Sequence, residues 1–191
     1  MRQKVWKGLS LLIVCTLLVG LIMPASVDAA QKKGGKKVLV VYFSATGTTR
    51  EAAKKVKKAA SGTLYQIKAQ KPYTKEDLDY SNDDCRANKE QQDENARPAI
   101  KGKVKNIRKY DVIFVGYPIW WGKEPKIILT FLESYNLKGK KIVPFCTSGG
   151  SGISGSISEV KKAAKGAKVV SGKDLTALSY KTVEKWVKKK L

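Results

Sequence analysis

The feature that most restricts the fold of this chain is an uninterrupted run of apolar and β-branched residues at positions 38–43, Val-Leu-Val-Val-Tyr-Phe. A strand with one face in water alternates apolar and polar residues, whereas a run without alternation predicts a strand that is buried on both faces. Both faces are covered when helices pack on each side of a parallel sheet. We therefore predict that residues 38–43 form a central strand of such a sheet.

Further strands and helices alternate along the rest of the chain. The other strands are predicted at residues 63–69, 111–117, 141–146 and 168–171. The helices are predicted at residues 49–60, 124–135, 153–164 and 181–190. This alternation predicts an α/β fold, a doubly wound parallel sheet of five strands with helices on both faces.

The first residues have the organisation of a secretory signal peptide. A basic start precedes an apolar run of fifteen residues at positions 9–23, and small residues lead up to Ala29, after which we predict cleavage. An uncleaved membrane anchor is the alternative, but fifteen residues are fewer than the roughly 20 that cross a bilayer. We expect a signal peptide at residues 1–29, a basic linker at 30–37 and one domain at 38–191, secreted or associated with the cell envelope.

The composition excludes several chemistries. The chain has no His, so mechanisms that need an imidazole, such as Ser-His-Asp catalysis and His-ligated zinc or haem, are excluded. Cys85 and Cys146 would face an oxidising compartment after export, where they could form a disulfide. A buried, unpaired Cys146 is the alternative that the sequence favours.

The net charge is the unusual part of the composition. The chain has 38 Lys and Arg against 16 Asp and Glu, a formal net charge of +22. Without residues 1–29 the counts are 35 and 15, a charge of +20. Such a surplus attracts polyanions, whether nucleic acid, anionic lipid or an acidic wall polymer. In an exported protein it favours electrostatic association with an anionic cell envelope over specific binding of nucleic acid.

Half of the acidic residues lie in one segment between the second and third predicted strands. Residues 76–94 contain eight of the 16 acids. Their spacing does not fit a calcium loop, because a loop that starts at Asp77 has Asn82 in place of the required Gly and Asn88 in place of the required Glu. We predict a solvated, partly helical excursion near the C-terminal edge of the sheet, a position compatible with a lid.

The loop after the first strand is rich in hydroxyl groups. In an open α/β sheet, ligands bind outside the carboxyl ends of the strands, where the strand order reverses. Here that loop has the sequence Ser44-Ala45-Thr46-Gly47-Thr48-Thr49-Arg50 and leads into a helix. Backbone N–H groups and the helix dipole favour an anion, and the hydroxyls can complete its hydrogen bonds. The segment predicts a phosphate site, with a plain helix cap as the alternative.

Two more loops follow the third and fourth predicted strands. Pro118-Ile119-Trp120-Trp121-Gly122 places two tryptophans side by side in a turn, where both cannot face the core. At least one indole should then flank a cleft and stack on a planar ring, unless the pair packs only its own loop. The glycines of Thr147-Ser148-Gly149-Gly150-Ser151-Gly152 let backbone amides approach a ligand closely, unless the loop is only a flexible linker. The three loops together indicate a planar ligand that carries phosphate.

On these residues the chain resembles the flavodoxin family, which binds flavin mononucleotide (FMN). Ser44-x-Thr46-Gly47-x-Thr49 after a buried strand resembles the phosphate loop of the family. The tryptophan and glycine segments resemble the loops that hold the isoalloxazine ring in the subgroup related to FMN-dependent quinone reductases. The resemblance covers about residue 37 to the C-terminus and implies a short-chain, flavodoxin-like sheet with strand order 2-1-3-4-5.

The resemblance also implies which residues bind FMN. The phosphate would be held by Ser44, Thr46, Gly47, Thr48 and Thr49. One side of the ring would be lined by Pro118, Ile119, Trp120, Trp121 and Gly122, with Trp120 or Trp121 stacking on it. The pyrimidine edge would contact Thr147, Ser148, Gly149, Gly150 and Gly152. No residue is an evident proton donor, so the flavin would carry the redox step.

Three functions follow from these observations. The first is an exported protein that relays electrons through non-covalently bound FMN to a redox partner protein or a small quinone-like acceptor. The second is a quinone or flavin reductase that takes hydride from NAD(P)H. The third, which the charge suggests, is a basic envelope-binding module that keeps the fold without the cofactor.

Overall fold

Strand β1 (Val38–Tyr42) lies inside the main sheet with all five residues buried, as the apolar run predicts. The computed structural model describes residues 35–191. The other strands are β2 (Thr63–Gln66), β3 (Lys68–Ala69), β4 (Ile100–Lys101), β5 (Val112–Pro118), β6 (Lys141–Thr147), β7 (Lys168–Val169) and β8 (Lys173–Asp174). The α-helices are α1 (Thr48–Ala60), α2 (Arg86–Gln92), α3 (Lys126–Glu133), α4 (Ile157–Ala163) and α5 (Tyr180–Lys190).

The main sheet is parallel and has the order β2-β1-β5-β6-β7, with β8 also pairing with β6. In the order of its main strands along the chain this is 2-1-3-4-5, so the predicted α/β fold and strand order are confirmed. In register, Val40 of β1 lies between Leu64 of β2 and Phe114 of β5. The order places β1, β5 and β6 next to one another, and their carboxyl ends therefore meet at one edge of the sheet.

The fifth strand position differs from the prediction of one strand at residues 168–171. Two short strands share it, because β7 pairs with Lys141 and Ile142 while β8 pairs with Phe145 and Cys146. The gap between them faces Pro144, which has no N–H to donate to a neighbouring strand. Gly172 also passes so close to β6 that a Cβ atom there would lie 2.7 Å from the Pro144 carbonyl oxygen.

The second strand was predicted too long, at residues 63–69. Its parallel pairing with β1 ends at Gln66, opposite Tyr42, and the N–H of Ile67 then donates to the carbonyl of Tyr42 at 2.8 Å. Beyond that point β1 offers no further partner. The chain turns away, and β3 pairs antiparallel with β4 in a separate two-stranded sheet.

The core has two parts, one on each face of the main sheet. Val38, Val40 and Tyr42 point to the face covered by α1 and α5, whose Val56 and Val183 are fully buried. The alternate residues of β1, with Phe43 after them, point to the other face, which α3 and α4 cover. Because each face is covered by helices, β1 needs no polar positions, which explains the run of apolar residues.

The predicted helices are confirmed with shifted ends. Helix α1 begins one residue before the predicted 49–60, and α5 begins one residue before the predicted 181–190. Pro125 precedes α3 in extended conformation, so this helix begins at Lys126 rather than at Glu124. At the predicted 153–164 a short 3-10 turn (Ser154–Ser156) comes before α4.

The predictions for the N-terminal segment lie outside the described residues. These are the signal peptide at 1–29, cleavage after Ala29 and residues 30–34 of the basic linker. Within residues 35–191, no helix is long and apolar enough to cross a membrane.

We predict that Gly116→Ala destabilises the domain by roughly 1–3 kcal/mol, because a new Cβ would overpack the core. Gly116 lies opposite Phe145 in the β5–β6 register, and a Cβ at this position would overlap the Phe145 ring. Urea unfolding measures the effect. Gly35→Ala is the matched control, since nothing lies within 4 Å of a Cβ there. Equal midpoints for the two variants would contradict the close packing of β5 on β6.

Candidate functional site

Three loops leave the carboxyl ends of β1, β5 and β6, which are neighbours in the sheet. We call them the phosphate loop (residues 44–49), the tryptophan loop (118–123) and the glycine loop (147–152). The N–H of Ile119 donates to the carbonyl of Thr147 at 2.9 Å, which joins the second loop to the third. Thr49 Oγ1 lies 2.7 Å from Thr147 Oγ1, which joins the first loop to the third. The sheet thus brings the three predicted segments together.

The phosphate loop is shaped to hold an anion. Gly47 has φ of 101°, a conformation that favours glycine, and its N–H donates to Ser44 Oγ at 3.1 Å. Helix α1 begins at Thr48, and no side chain caps its first N–H groups. The hydroxyls of Thr46 and Thr48 are 3.5 Å apart on exposed residues beside these N–H groups. Uncapped N–H groups and hydroxyls on exposed residues are the donors that a phosphate needs.

Arg50, for which the sequence predicts no role, lies beside this loop. A Cβ atom on Gly47 would lie 3.4 Å from the Arg50 guanidinium. The Arg50 side chain is about half exposed, and its Nε lies 3.6 Å from Glu51 Oε1. The guanidinium brings a positive charge next to hydroxyl and amide donors that carry none. Its position directly after the hydroxyl-rich segment is the sequence feature from which a role beside the phosphate could be predicted.

Thr49 and Thr147 have a different environment from the other predicted site residues. Both are buried, at 1% and 6% exposure, and their hydroxyls bond to each other. Because this hydrogen bond occupies both side chains, they connect two loops beneath the site. The phosphate loop therefore presents Thr46 and Thr48, rather than Thr49, at its surface.

The tryptophan loop ends in a tight turn. The N–H of Trp120 donates to the carbonyl of Lys123 at 2.9 Å, and the N–H of Lys123 donates back to the carbonyl of Trp120 at 3.0 Å. Between them Trp121 and Gly122 both have positive φ, 51° and 74°, as in a type I′ turn. This backbone is rare for a bulky residue such as tryptophan. Such strain is concentrated at functional positions in proteins.

One of the two tryptophans is buried and the other exposed, in keeping with the prediction that both cannot face the core. Trp120 is buried and packs edge-on against Phe43 and Tyr73, with ring centroids 5.6 and 5.3 Å away. Trp121 is 62% exposed, the flat indole that can stack on a planar ring. Pro118 and Ile119 are half-buried between the strand and this turn.

The acidic excursion holds Trp121 in place through Asn88. This asparagine is fully buried, and its Oδ1 accepts a hydrogen bond from Trp121 Nε1 at 2.7 Å. Its Nδ2 donates to the carbonyl of Asn82 at 2.8 Å, so the amide has partners on both sides. Gln91, one turn further along α2, donates to the carbonyl of Trp120 at 2.9 Å. The excursion therefore braces the tryptophan loop, a contact that no local sequence pattern indicated.

The excursion is partly helical, as predicted, and less solvated than expected. Arg86 lies inside it, with its Nε 2.6 Å from Glu90 Oε1 and its guanidinium stacked 4.0 Å from the centre of the Tyr73 ring. The hydroxyl of Tyr73 donates to Glu90, and burial followed by this bond raises the pKa of the phenol. Tyr80, at 41% exposure, lies edge-on to Trp121 with centroids 6.3 Å apart. The lid role stays a prediction.

In the glycine loop the side chain of Ser148 organises the backbone. Its Oγ accepts hydrogen bonds from the N–H groups of Gly150 and Gly152, both at 2.9 Å. Its own N–H donates to Thr176 Oγ1 at 2.8 Å. Nothing lies within 4 Å of a Cβ placed on Gly149 or Gly150, so the outer backbone is open to a ligand.

The buried polar groups near these loops are unsuited to nucleophilic chemistry. Within the described part of the chain Cys85 and Cys146 are both buried and unpaired, so no disulfide joins them. Burial raises the pKa of the Cys146 thiol to about 12, with the charge of Asp174 adding to the rise, and a thiolate is therefore disfavoured. Within residues 35–191 no group of three or more acidic or sulfur side chains could hold a metal ion.

Glu124, a residue that no sequence motif indicates, is a buried acid next to the tryptophan loop. It is 1% exposed, and its Oε2 has no hydrogen-bond partner among the described residues. Burial raises the pKa of this carboxyl to about 7; the charge of Glu159 adds to the rise, while its own backbone, Lys126 and Lys123 oppose it. Near neutral pH this carboxyl therefore loses its proton inside the protein.

The chain is similar in sequence and fold to known flavoproteins. The family model for flavodoxin matches residues 37–190. A candidate flavoprotein of Bacteroides eggerthii is 47% identical, with 81% of this chain and 98% of that chain covered and a TM-score of 0.77. One of Bacteroides uniformis is 44% identical, with 81% and 99% covered and a TM-score of 0.77. A flavoprotein of Lactobacillus acidophilus, solved in complex with FMN, is 26% identical, with 79% and 98% covered and a TM-score of 0.63. No curated protein matches the chain.

We predict that Glu124→Gln removes a pH dependence from the stability of the domain. The pKa of Glu124 is about 7 in the folded protein against an ordinary value of 4.5. The folded state therefore binds more protons than the unfolded state between these two values, and stability falls as pH rises through this window. The contribution that is present at low pH and lost by pH 7 is on the order of 3 kcal/mol.

Urea unfolding at pH 5, 6, 7 and 8 tests this prediction. The wild-type domain should lose stability across the series more steeply than Glu124→Gln. Glu94→Gln is the control, since Glu94 is exposed and also acidic. Parallel curves for the wild type and Glu124→Gln would show that Glu124 is ionised throughout this range.

Proposed function

We propose, since the chain belongs to the flavodoxin family, that it binds FMN non-covalently and relays electrons outside the cytoplasmic membrane. The observation that carries the proposal is the arrangement of three loops at the carboxyl ends of three neighbouring strands. One presents uncapped helix N–H groups and hydroxyls, one presents an exposed indole, and one presents open backbone. These are the donors and the flat surface that a phosphate and a planar ring require.

In this proposal the residues of the chain bind and orient the cofactor. The N–H groups at the start of α1 and the hydroxyls of Thr46 and Thr48 would hold the phosphate, with Arg50 adding positive charge. The Trp121 indole would stack on the ring, and the backbone of Gly149 and Gly150 would contact its polar edge. FMN would supply the one- and two-electron redox chemistry. The bond between Thr49 and Thr147 would keep the phosphate and ring ends at a fixed separation.

Whether the chain is an electron carrier or an enzyme depends on its electron acceptor. We favour a carrier because three groups near the loops that could exchange a proton are buried: Tyr117, which is bonded to Ser156, the Cys146 thiol and the Glu124 carboxyl. The redox partner would be a protein or a small quinone-like acceptor. Rapid bleaching of bound flavin by NAD(P)H, with repeated turnover of a quinone, would instead identify a reductase.

We predict that the domain comprising residues 30–191 retains FMN through desalting and shows a visible flavin spectrum. The Thr46→Ala/Thr48→Ala variant should weaken FMN binding about tenfold or more, because two hydrogen bonds to a charged phosphate are lost. Trp121→Leu should weaken it about tenfold through the lost stacking, and Trp121→Phe should recover most of the loss. Quenching of flavin fluorescence measures these affinities.

The control for these variants is Thr63→Ala, which removes an exposed hydroxyl at the opposite edge of the sheet. It should bind FMN as the wild type does. Absence of a bound chromophore in the wild-type domain at micromolar FMN would overturn the redox proposal and leave the basic binding module.

We also propose that the exported domain associates with the anionic cell envelope. Its support is a group of lysines at the N-terminal edge of the sheet, opposite the three loops. There Lys141 lies close enough to Lys36, Lys168 and Lys190 for their charges to help burial lower its pKa. A protein held by this edge would present the three loops outward.

We predict that the 30–191 domain binds vesicles that contain phosphatidylglycerol and does not bind neutral phosphatidylcholine vesicles. The Lys36→Gln/Lys168→Gln/Lys190→Gln variant should bind more weakly than a variant with three exposed lysines replaced elsewhere, Lys71→Gln/Lys75→Gln/Lys89→Gln. Cosedimentation at physiological salt measures both, since screening limits the attraction to about 8 Å from the surface. Equal losses in the two variants would mean that net charge, and not this edge, is recognised.

A further inference from the structure

A cavity of about 420 Å³ lies beside the phosphate loop, on the side of β2. It opens between the end of β1 and the small sheet formed by β3 and β4, and neither Trp121 nor the glycine loop lines it. Its wall includes Ser44 and Ala45, which are also the first residues of the phosphate loop. The cavity is therefore adjacent to the proposed FMN site without being part of its ring pocket. Its volume is within the range of small-molecule sites in proteins.

The inner wall of this cavity is aromatic and aliphatic. Phe43 is buried at 3% exposure, and its ring lies edge-on to that of Tyr73 with centroids 5.6 Å apart. Ile67, at 1% exposure, and Ala69 complete this wall. These three buried side chains are already almost out of water, so the apolar surface that a ligand ring can cover belongs to Tyr73, which is partly exposed, and Pro72, which is exposed. The amides of Gln66 and Gln70, also in the lining, offer a donor and an acceptor to the polar edge of a ring.

The outer rim of the cavity carries two lysines that face each other. Lys68 and Lys101 are register partners in the antiparallel pair β3–β4, so their side chains lie on the same face of that sheet. Both are exposed, and neither forms an ion pair with another of the residues 35–191. Like charges directly opposite each other destabilise a strand pair. An anion between the two ammonium groups would remove that repulsion.

We propose that this cavity is a second ligand site, which binds a flat aromatic ring carrying phosphate, the chemistry of an adenylate group. The ring would pack on Tyr73 and Pro72, and the phosphate would lie between Lys68 and Lys101. Two sources can supply an adenylate group. One is a flavin adenine dinucleotide, in which it would extend from the phosphate loop past Ser44 and Ala45. The other is a separate dinucleotide that binds beside FMN. The binding of an adenylate group here does not depend on the proposed function; only the biological role of the site rests on it.

The test is a calorimetric titration of 5′-AMP into the FMN-loaded 30–191 domain at physiological salt. We expect saturable binding that Lys68→Gln/Lys101→Gln weakens about tenfold or more, because charge-assisted hydrogen bonds to the phosphate are lost. Lys103→Gln/Lys105→Gln is the matched control, with the same charge removed from two exposed lysines just after β4 and outside the cavity. The control should bind AMP as the wild type does.

Separate titrations of adenosine and of inorganic phosphate test the two halves of the ligand. Each should bind more weakly than AMP. Adenosine binding as tightly as AMP would overturn the role of the lysines, and phosphate binding as tightly would overturn the role of the aromatic wall. Displacement of FMN by AMP would also overturn the proposal, because it would mean that both occupy one site.

Two comparisons identify the source and separate the two proposals. Tighter binding of flavin adenine dinucleotide than of FMN, with loss of AMP binding in its presence, would assign the adenylate to the cofactor. Binding of NADH or NADPH to the FMN-loaded domain, with the same lysine dependence, would assign it to a separate dinucleotide. A domain that binds FMN but not AMP would refute the second site alone. A domain that binds AMP with the lysine dependence but not FMN would refute the proposed function alone.

Discussion

The parallel pairing of β1, β5 and β6 is the constraint on which the candidate site depends. Because the strands run in the same direction and in register, three loops that are far apart in the sequence leave the sheet at one edge. The close contact of Gly116 with Phe145 shows how little space separates β5 from the side chains of β6. Any shift between these strands would separate Thr49 from Thr147 and change the distance between the phosphate loop and the glycine loop.

Much of the fold could be predicted from the sequence because it depends on local patterns. The apolar run at 38–43 identified the central strand, and helical spacing identified α5 with its buried Val183, Trp186 and Val187. The two misplaced strands depend on neighbours instead. The second strand ends at Gln66 because β1 ends there, and the fifth position is divided opposite Pro144 on a strand more than twenty residues earlier.

The candidate site shows the same division between local and distant causes. The hydroxyl loop and the paired tryptophans were visible as motifs, and the outward position of one indole followed from the geometry of a turn. The sequence could not indicate which indole that would be, because the answer depends on Phe43 and Tyr73 packing on Trp120. Asn88 and Glu124 were missed for a similar reason. Their roles arise from burial against residues in other segments, and an isolated Asn or Glu gives no signal of it.

Charged groups are unevenly distributed along the strand direction. Lysines surround the N-terminal ends of the strands, while the acidic excursion packs on the tryptophan loop at the other end. An external field exerts a torque on such a molecule before any contact forms. Near a negatively charged surface the domain would turn its lysine edge inward while still diffusing, and successive encounters would begin in one orientation. In the proposed association with an anionic envelope, the lysine edge would therefore set the direction of approach.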